Sequence, residues 1–395
     1  MRQLLLALAL SFTSAMAADS QMFRGHPSLS GVTPPPGKPL EGKIAWSSAT
    51  MGWELYQPLE NMDGQAVFPS TPAVVGGRIY LCAGPYLFVF DAAGQPVYHV
   101  KLSACTLASP TVVDGLVYVS TDDGRMHAVE AKDGKERWTA VIGANPFMKQ
   151  VDNWDVYHSS ATVVDGVLYV GSADGRIYAL SAANGKELWH FQTGHVVRAT
   201  PAVVAGRVYC GSFDGKVYAL DAATGSKLWE VDTATKGTPW HAVQGSCAVV
   251  DGTVYVGSRS GFLYAIDAAT GKVRWQESHD GNWVPSSPAV RDGIAYVGQS
   301  DGHKVTAVSP DGKVLWRIDA PNETFASPLL AGDILYVAGN DNYNQQGKGS
   351  LCALEAKTGK VVWKLELPAS VWASPVLVDG TLYAACADGK LYAIR

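Results

Sequence analysis

Three polar side chains occupy the same position in successive copies of a repeated pattern, shortly before a short apolar run. They are His158, Arg198 and Gln244. If they face one cavity, they form a polar arc, and the guanidinium would bind a carboxylate or another anion through two parallel hydrogen bonds. The alternative is that the arc only holds water inside a channel. Both roles require the repeat to bring the three residues together.

The same position is apolar in the other copies, which places apolar surface opposite the arc: Leu107, Pro285, Phe325, Trp372 and, from the first copy, Pro69. The longer connections near the arc add aromatic and charged residues: Trp154, Asp155, Tyr157, Trp240, His241 and Trp283. Loops on a rigid framework often carry function, so we treat these six residues and the arc as candidate ligand- or partner-binding residues. The alternative for each aromatic residue is that it folds back over the framework.

Common catalytic signatures are missing from the sequence. The nine histidines never form H-E-x-x-H, no G-x-S-x-G occurs, and the six cysteines form no C-x-x-C pair. This counts against metalloprotease, α/β-hydrolase, zinc-ribbon and thioredoxin-like chemistry, so we assign no catalytic residue and no metal ligand. Cys82 and Cys105 either form a disulfide or remain buried thiols, and the sequence leaves both open.

The repeat that must position these residues is clearest between residues 246 and 275. Period-2 apolar runs at 247–250, 253–257, 262–266 and 272–275 are separated by short glycine-containing turns, the first of them Asp251-Gly252. This pattern predicts four antiparallel strands and no helix. One such sheet cannot bury both of its faces, so it must stack on further copies.

Eight copies are present, marked by the glycine of the first turn at Gly77, Gly115, Gly166, Gly206, Gly252, Gly293, Gly332 and Gly380. The last copy ends after its third strand, and the missing fourth strand is found near the N-terminus, at residues 42–46. We therefore predict an all-β, eight-bladed β-propeller of four-stranded antiparallel blades over residues 42–395. An N-terminal strand completes the last blade and closes the ring, which removes an open sheet edge.

The N-terminal residues predict export. Residues 1–17 contain Arg2, the apolar segment LLLALAL and a small-residue ending, which is typical of a secretory signal peptide. No cysteine follows that a lipid anchor would need. Residues 18–41 form an arm expected to lie along the propeller wall, with Phe23 and Arg24 plugging a groove as the alternative. We expect a periplasmic or secreted monomer without a membrane anchor.

Composition narrows the partner class. The formal net charge is −5, and the 31 basic residues are scattered without a basic stripe. This counts against nucleic acid and against an anionic membrane surface as partners.

The repeat Tyr-Val-Gly-Ser-x-Asp-Gly-x-x-Tyr-Ala-Leu-Asp-Ala-x-Thr-Gly-Lys-x-x-Trp is nearly intact at 169–189 and 209–229. It resembles the pyrroloquinoline-quinone-like propeller repeat over residues 42–395. That family includes quinoprotein alcohol dehydrogenases, the propeller lipoprotein of the outer-membrane β-barrel assembly machinery and exported propellers without a known activity; residues 22–27 are most similar to the last group. The resemblance implies that the repeat-ending tryptophans dock each blade on the next: Trp46, Trp138, Trp189, Trp229, Trp275, Trp316 and Trp363.

The resemblance also implies a cofactor, which the residues do not support. In the quinoprotein dehydrogenases, adjacent cysteines, a tryptophan floor and a calcium ion beside a catalytic aspartate hold pyrroloquinoline quinone (PQQ). No two cysteines are adjacent here, and no comparably large insertion is present. We therefore expect neither PQQ nor calcium. The sequence favours an exported binding or scaffold propeller that engages a periplasmic protein, peptide or saccharide through its channel mouth and through its insertion-bearing face, the face on which the longer connections lie. The alternatives are a PQQ-dependent oxidoreductase and a saccharide-acting lyase or hydrolase at the channel mouth.

Overall fold

The computed structural model describes residues 19–48, 70–143, 158–234, 241–320, 324–340 and 347–395. Within these ranges every regular element is a strand, and the strands form eight sheets, each containing a four-stranded antiparallel meander. No helix in these ranges is long and apolar enough to cross a membrane. The predicted eight-bladed all-β propeller is confirmed.

We number the blades in chain order and give their strands from the channel outward. Blade 1 contains Ala73–Val75, Arg78–Ala83, Tyr86–Asp91 and Pro96–Lys101, and blade 2 contains Thr111–Val113, Leu116–Thr121, Arg125–Glu130 and Glu136–Val141. Blade 3 contains Thr162–Val164, Val167–Gly171, Arg176–Ser181 and Glu187–Gln192, and blade 4 contains Ala202–Val204, Arg207–Gly211, Lys216–Asp221 and Lys227–Asp232. Blade 5 contains Ala248–Val250, Thr253–Gly257, Phe262–Asp267 and Val273–Ser278, and blade 6 contains Ala289–Arg291, Ile294–Gly298, Lys304–Val308 and Val314–Asp319. Blade 7 contains Leu329–Ala331, Ile334–Asn340, Gly349–Glu355 and Val361–Leu367. Blade 8 contains Val376–Val378, Thr381–Cys386, Lys390–Ile394 and, from the N-terminal part of the chain, Ile44–Ser47.

The first hairpin of each blade follows from its turn residues. In blade 5, Asp251 and Gly252 have φ angles of 46° and 70°. Two successive residues with positive φ form the tight turn whose twist matches the flanking strands. Val250 consequently pairs with Thr253, and Ala248 pairs with Tyr255.

The core lies between blades. Strands two and three are buried almost throughout, whereas nearly all positions of the outermost strands are exposed or half-buried. Each apolar cluster joins side chains of neighbouring blades; one contains Tyr209 and Ala219 of blade 4 together with Val254 and Ile266 of blade 5. The blades therefore stabilise one another, as a repeat that cannot bury both faces requires.

The repeat-ending tryptophans lie at these junctions. Six indole Nε1–H groups donate to a backbone carbonyl of the next blade or of the chain beside it, over 2.9–3.1 Å. The donor and acceptor pairs are Trp138 and Ala182, Trp189 and Ala222, Trp229 and Ala268, Trp275 and Pro310, Trp316 and Ala356, and Trp363 and Leu40. The turn glycine of the next blade lies against the ring: a Cβ on Gly271 would come within 2.9 Å of Trp229. Trp46 contacts Gly94 of blade 1 in the same manner. This close approach is one reason for glycine at the turn.

The ring closes where the sequence indicates. Ile44–Ser47 pairs antiparallel with Lys390–Ile394, placing Ile44 opposite Ile394 and Trp46 opposite Ala393. Lys43 and Arg395 exchange two further backbone hydrogen bonds. The third strand of blade 8 therefore has no free edge.

The arm follows the inner wall of the ring; the sequence predicted a course along the propeller wall but not on which side of it. Carbonyl groups of residues 20–31 accept one backbone N–H from the innermost strand of six blades, donated by Val74, Val112, Val203, Val249, Val290 and Leu330 over 2.7–2.9 Å. Val32–Thr33 then pairs in parallel with Leu329–Ala331 as a fifth strand of blade 7. The arm thus occupies the channel at the level of the innermost strands.

Candidate ligand site at the channel mouth

The residues before the innermost strands converge on the channel axis, because each blade presents the same repeat position there. A cavity with about 610 Å³ of unfilled space, including solvent at its mouth, is lined at its rim by Leu107, His158, Arg198, Gln244, Pro285, Phe325 and Trp372. The structure therefore brings the polar arc and the apolar positions together around one cavity. Pro69 lies outside the described residues.

A ring of hydroxyl groups lies two residues further along each blade. This hydroxyl belt consists of Thr71, Ser109, Ser160, Thr200, Ser246, Ser287, Ser327 and Ser374, which all line the same cavity. At seven of the eight blade junctions, the backbone N–H of one belt residue donates to the hydroxyl oxygen of the next, over 2.9–3.1 Å. The belt thus joins the blades around the axis.

The arm closes the cavity below the belt. Phe23 is part of the cavity lining. Its neighbour Arg24 is buried and donates to the carbonyl oxygens of Pro288 and Pro328 over 2.7 and 2.5 Å. Each proline directly follows a belt serine, so Arg24 lies immediately below the belt. Burial lowers the pKa of Arg24 to about 9, which leaves the side chain charged at neutral pH.

His158 is a largely buried, neutral imidazole on the arc, with 12% of its side chain exposed. Burial, followed by the charge of Arg198, lowers its pKa well below the ordinary range. Its Nδ1 lies 3.3 Å from the Leu107 backbone nitrogen and 3.1 Å from Asp122 Oδ1. A neutral ring either accepts from Leu107 or donates to Asp122 through this nitrogen, so the two contacts correspond to two tautomers. The ring can therefore change its hydrogen bonding without changing its charge.

Arg259 anchors the arc on its other side. Its Nε donates to Gln244 Oε1 over 2.9 Å. Its guanidinium stacks between two aromatic rings, 4.9 Å from the centre of Phe213 and 4.4 Å from that of Trp283. Stacking and hydrogen bonding together restrict the guanidinium to one orientation. Trp283 therefore acts on the arc through Arg259 and is not itself part of the cavity lining.

A buried polar network holds the loop that carries Trp283. Glu277 Oε1 lies 2.6 Å from Arg317 Nη2, and Glu277 Oε2 lies 2.7 Å from His279 Nε2. Gln299 Nε2 donates to His279 Nδ1, so the loop between blades 5 and 6 is tied to the residue that follows the second strand of blade 6. This arrangement limits the freedom of the Trp283 backbone.

The wall opposite the arc is apolar. Phe325 and Trp372 are both buried, and their ring centres lie 4.9 Å apart at 41°. Pro285 and Leu107 extend this surface around the rim. The mouth is therefore amphipathic, with a cationic and amide side facing an aromatic side.

The remaining predicted residues lie elsewhere or outside the described ranges. His241 lies against the Gly215 turn of its neighbouring blade, away from the described cavity lining. Trp154, Asp155, Tyr157 and Trp240 fall on residues that the structure does not describe.

Sequence reasoning missed Asp122, Phe213 and Arg259, although a signal was available. All three occupy the x position of the Gly-Ser-x-Asp-Gly turn or its variant, where each of these blades carries a different residue. The backbone N–H of each donates to a carbonyl two residues before the rim residue of its own blade, that of Cys105, Val196 or Ala242. This turn position therefore lies beside the rim, and the residue type found there determines which side chain lies behind the rim residue.

The donor set of the cavity does not suit a calcium-bound quinone. The described lining contains one guanidinium, one imidazole, one amide and the hydroxyl belt, but no aspartate or glutamate. Within the described ranges, no three His, Cys, Asp or Glu side chains are grouped to hold a metal ion. Calcium sites are normally built around carboxylate oxygens, so these residues do not fit that ion.

All six cysteines are unbridged thiols, and five of them are buried. Burial raises the pKa of Cys247 and Cys386 to about 12, and that of Cys105 and Cys352 to about 11. Such thiols are poor nucleophiles at neutral pH, so they are small apolar groups in this fold.

Comparison with known proteins finds similarity both to quinohemoprotein alcohol dehydrogenases and to an outer membrane protein assembly factor. A quinohemoprotein alcohol dehydrogenase of Comamonas testosteroni is 35% identical over 103 residues, which cover 24% of this chain and 14% of the relative. The outer membrane protein assembly factor BamB of Yersinia pestis is 25% identical over 159 residues, covering 40% and 38%. The aligned stretches thus span much less than the full length of either relative.

Solved structures extend the likeness to the whole propeller. BamB from Moraxella catarrhalis superposes with a TM-score of 0.68 at 18% identity, covering 89% of this chain and 96% of that one. Identity this low establishes the fold alone. A family model described as "Outer membrane protein assembly factor BamB" matches residues 38–152, 148–283 and 278–395, nearly the entire propeller. The chain therefore belongs to this family of PQQ-like repeat propellers.

Proposed function

We propose that this protein is an exported binding or scaffold propeller that engages a protein or peptide partner at the channel mouth. The observation that carries the proposal is the convergence of Arg198, His158 and Gln244 on one side of a cavity whose other side is aromatic. A few oriented polar groups in a concave, largely apolar site are the usual pattern of a ligand site. The arm supports binding over transport because it occupies the channel below the cavity.

The mouth provides contacts suited to a chain end or a side chain. The planar guanidinium of Arg198 matches the geometry of a carboxylate, and the rings of Phe325 and Trp372 line the cavity with apolar surface. The likeness to a protein named an outer membrane protein assembly factor favours a protein partner over a saccharide. The same comparison favours export, because that relative's role at the outer membrane agrees with the signal peptide predicted for this chain.

A capture experiment with the full-length protein tests this function. The tagged wild type and Arg198→Ala are expressed with their native leader, crosslinked in intact cells and purified, and the retained proteins are compared by mass spectrometry. The candidate partner is then purified and its affinity is measured by calorimetry. We expect Arg198→Ala to lose the partner while its thermal stability stays within about 1 kcal/mol of the wild type, which a thermal melt of the same sample checks.

Arg176→Ala is the matched control, since Arg176 lies on the exposed part of blade 3. It should retain the partner. Equal binding by all three proteins would refute a role for the mouth and would place the partner surface on the outer loops.

The quinone-dependent alternative has its own readout. Purified protein is incubated with PQQ and calcium, and absorbance and dye-linked alcohol oxidation are recorded. A stoichiometric complex with turnover would replace the binding proposal.

A further inference from the structure

The junction between blades 1 and 2 brings a serine, a histidine and a glutamate together, outside the described lining of the channel cavity. From this arrangement we infer that Ser103, His127 and Glu136 form an acyl-transfer site that cleaves carboxylic esters of small acyl groups. Ser103 is the nucleophile, His127 is the general base, and Glu136 orients the imidazole. This activity goes beyond the proposed function and does not depend on it.

His127 departs from the repeat at a position where other blades make a structural contact. Blades 3, 4 and 8 carry a tyrosine there, whose hydroxyl donates to the aspartate of the Asp-Gly turn over 2.5–2.7 Å; the pairs are Tyr178 and Asp174, Tyr218 and Asp214, and Tyr392 and Asp388. In blade 2 the corresponding Asp123 accepts from the Thr121 hydroxyl over 2.6 Å. His127 Nε2 lies instead 2.7 Å from Ser103 Oγ, within the reach of a general base.

The two partners differ in exposure as a nucleophile and its base require. Ser103 lies at a bend in the connection from blade 1 to blade 2, and it is exposed. His127 is in the third strand of blade 2 and is only 5% exposed. A substrate can therefore reach the hydroxyl group, while packing holds the imidazole ring in place.

The groups around the other ring nitrogen favour the tautomer that can act as a base. His127 Nδ1 lies 3.4 Å from Glu136 Oε2 and 3.3 Å from Thr139 Oγ1. A carboxylate only accepts hydrogen bonds, so Glu136 favours the ring with its hydrogen on Nδ1. In the neutral ring Nε2 then carries a lone pair, which accepts the Ser103 proton. This division of roles is that of a Ser-His-acid triad.

The imidazole is neutral at pH 7, as a base must be. Burial lowers the pKa of His127 below its ordinary value, and the charge of Arg125 acts in the same direction. Glu136 and Asp123 act against this shift without cancelling it. The ring is therefore ready to take up a proton when Ser103 attacks.

Backbone donors for the developing negative charge are available beside the nucleophile. The N–H groups of Ser103, Ala104 and Cys105 donate to no acceptor in the part of the chain that the structure describes. Acyl transfer gains most of its stabilisation from donors of this kind, which bind the oxyanion of the tetrahedral intermediate. The N–H of the nucleophile itself is one such donor in serine proteases.

The reaction needs only the ester and water. Ser103 Oγ forms a bond to the ester carbonyl carbon, and its proton moves to His127 Nε2. The bond between that carbon and the alkoxy oxygen then breaks, and the leaving alcohol takes the proton from Nε2. Water attacks the acyl-serine in the same manner, gives its proton to Nε2, and releases the carboxylic acid as Ser103 regains its hydrogen.

Acetyl transfer from p-nitrophenyl acetate to the purified full-length protein tests the inference. Release of p-nitrophenolate is followed by absorbance against a protein-free reaction, and the acid-quenched protein is mapped by mass spectrometry. We expect an acetyl group on Ser103. Ser103→Ala should lose both this acetyl group and the protein-dependent rate. His127→Gln should lower the rate about a hundredfold or more, the usual contribution of a general base.

Two variants separate catalysis from folding. His127→Tyr restores the residue of blades 3, 4 and 8 and places a hydroxyl where Asp123 can accept from it, so it should melt close to the wild type but acetylate no Ser103. Ser226→Ala removes an exposed serine of the last turn in blade 4, whose hydroxyl contacts Thr224, and it should keep the wild-type rate.

Glu136→Gln and the pH profile test the orienting contact. The amide of this variant can donate to Nδ1 and so no longer selects the base tautomer; the rate should fall about tenfold or more while Ser103 remains the acetylated residue. In the wild type the rate should rise with pH below 6.5 and level off by pH 7, because the pKa of His127 is lowered.

The result that overturns the site is equally specific. It is overturned if the wild type shows no protein-dependent hydrolysis, if acetylation falls on lysines while Ser103→Ala keeps the wild-type rate, or if His127→Tyr is as active as the wild type. Ser103→Ala should still retain the partner captured at the mouth, so failure of this site leaves the proposed function standing.

Discussion

Replacing Trp229 measures how much one blade junction contributes to stability. The side chain is 9% exposed and lies between blades 4 and 5. Its indole Nε1–H donates to the Ala268 carbonyl over 3.1 Å, and its ring lies against Gly271. The substitution to alanine therefore removes both a large apolar contact and one hydrogen bond.

The lost packing should account for most of the decrease in the free energy of unfolding. The Ala268 carbonyl also accepts from Arg207 Nη1 over 2.9 Å and from the Tyr209 hydroxyl over 3.1 Å. It stays satisfied without the indole, so no buried acceptor is left unpaired. We expect Trp229→Ala to cost about 3–5 kcal/mol, the range for truncating a buried aromatic side chain. Trp229→Phe should cost less than half of that, since it keeps most of the ring contact.

Trp275→Ala is the comparison at the next junction. Trp275 donates to Pro310 in the same way but is partly exposed. Its loss should be smaller, because the apolar area removed from water is smaller. Urea denaturation followed by circular dichroism and by fluorescence gives the ranking, provided that the two signals coincide.

The ranking can refute the reasoning. If Trp229→Phe destabilises as much as Trp229→Ala, the hydrogen bond and not the packing holds the junction. If Trp275→Ala costs more than Trp229→Ala, burial does not set the contribution of these residues.

Three further outcomes are expected. Deleting residues 18–46 should cause aggregation, because the strand Lys390–Ile394 loses its outer partner and gains an open edge. Deleting residues 19–36 should lower the melting temperature but leave a monomer. Light scattering distinguishes the two, and a monomeric, fully stable 18–46 deletion would contradict the closure. His158 is held neutral by burial, so between pH 6.5 and its lowered pKa in the folded state the unfolded chain binds more protons, and the free energy of unfolding falls on acidification. The melting temperature of His158→Gln should therefore drop less between pH 7 and pH 5 than that of the wild type. Parallel curves for the two proteins would argue against a buried neutral imidazole. The native protein should react slowly with a thiol reagent at pH 8 and all six cysteines should react after denaturation; fewer than six would indicate a disulfide.

The architecture was predictable because its determinants are local and repeated. The Asp251-Gly252 turn, the period-2 runs and the repeat-ending tryptophans each act within a few residues, and eight copies report the same pattern. The displaced strand at residues 42–46 identified the closure for the same reason. The rim was predictable from the alignment of the repeats, because residues at the same position of each repeat must converge when the repeats surround one axis. For this reason the repeat spacing alone groups His158, Arg198 and Gln244.

The sequence by itself therefore determined the blades, the closure and the rim, whereas only the tertiary structure decided what surrounds the rim. The arm has no repeat partner, so its course along the inner wall depends on which backbone N–H groups the closed ring leaves unpaired. The contacts of Arg259 with Phe213 and Trp283 join three blades, and the position of Arg24 below the belt joins the arm to blades 6 and 7. Such contacts arise between segments distant in the chain, and their partners are set by packing geometry that no local spacing encodes.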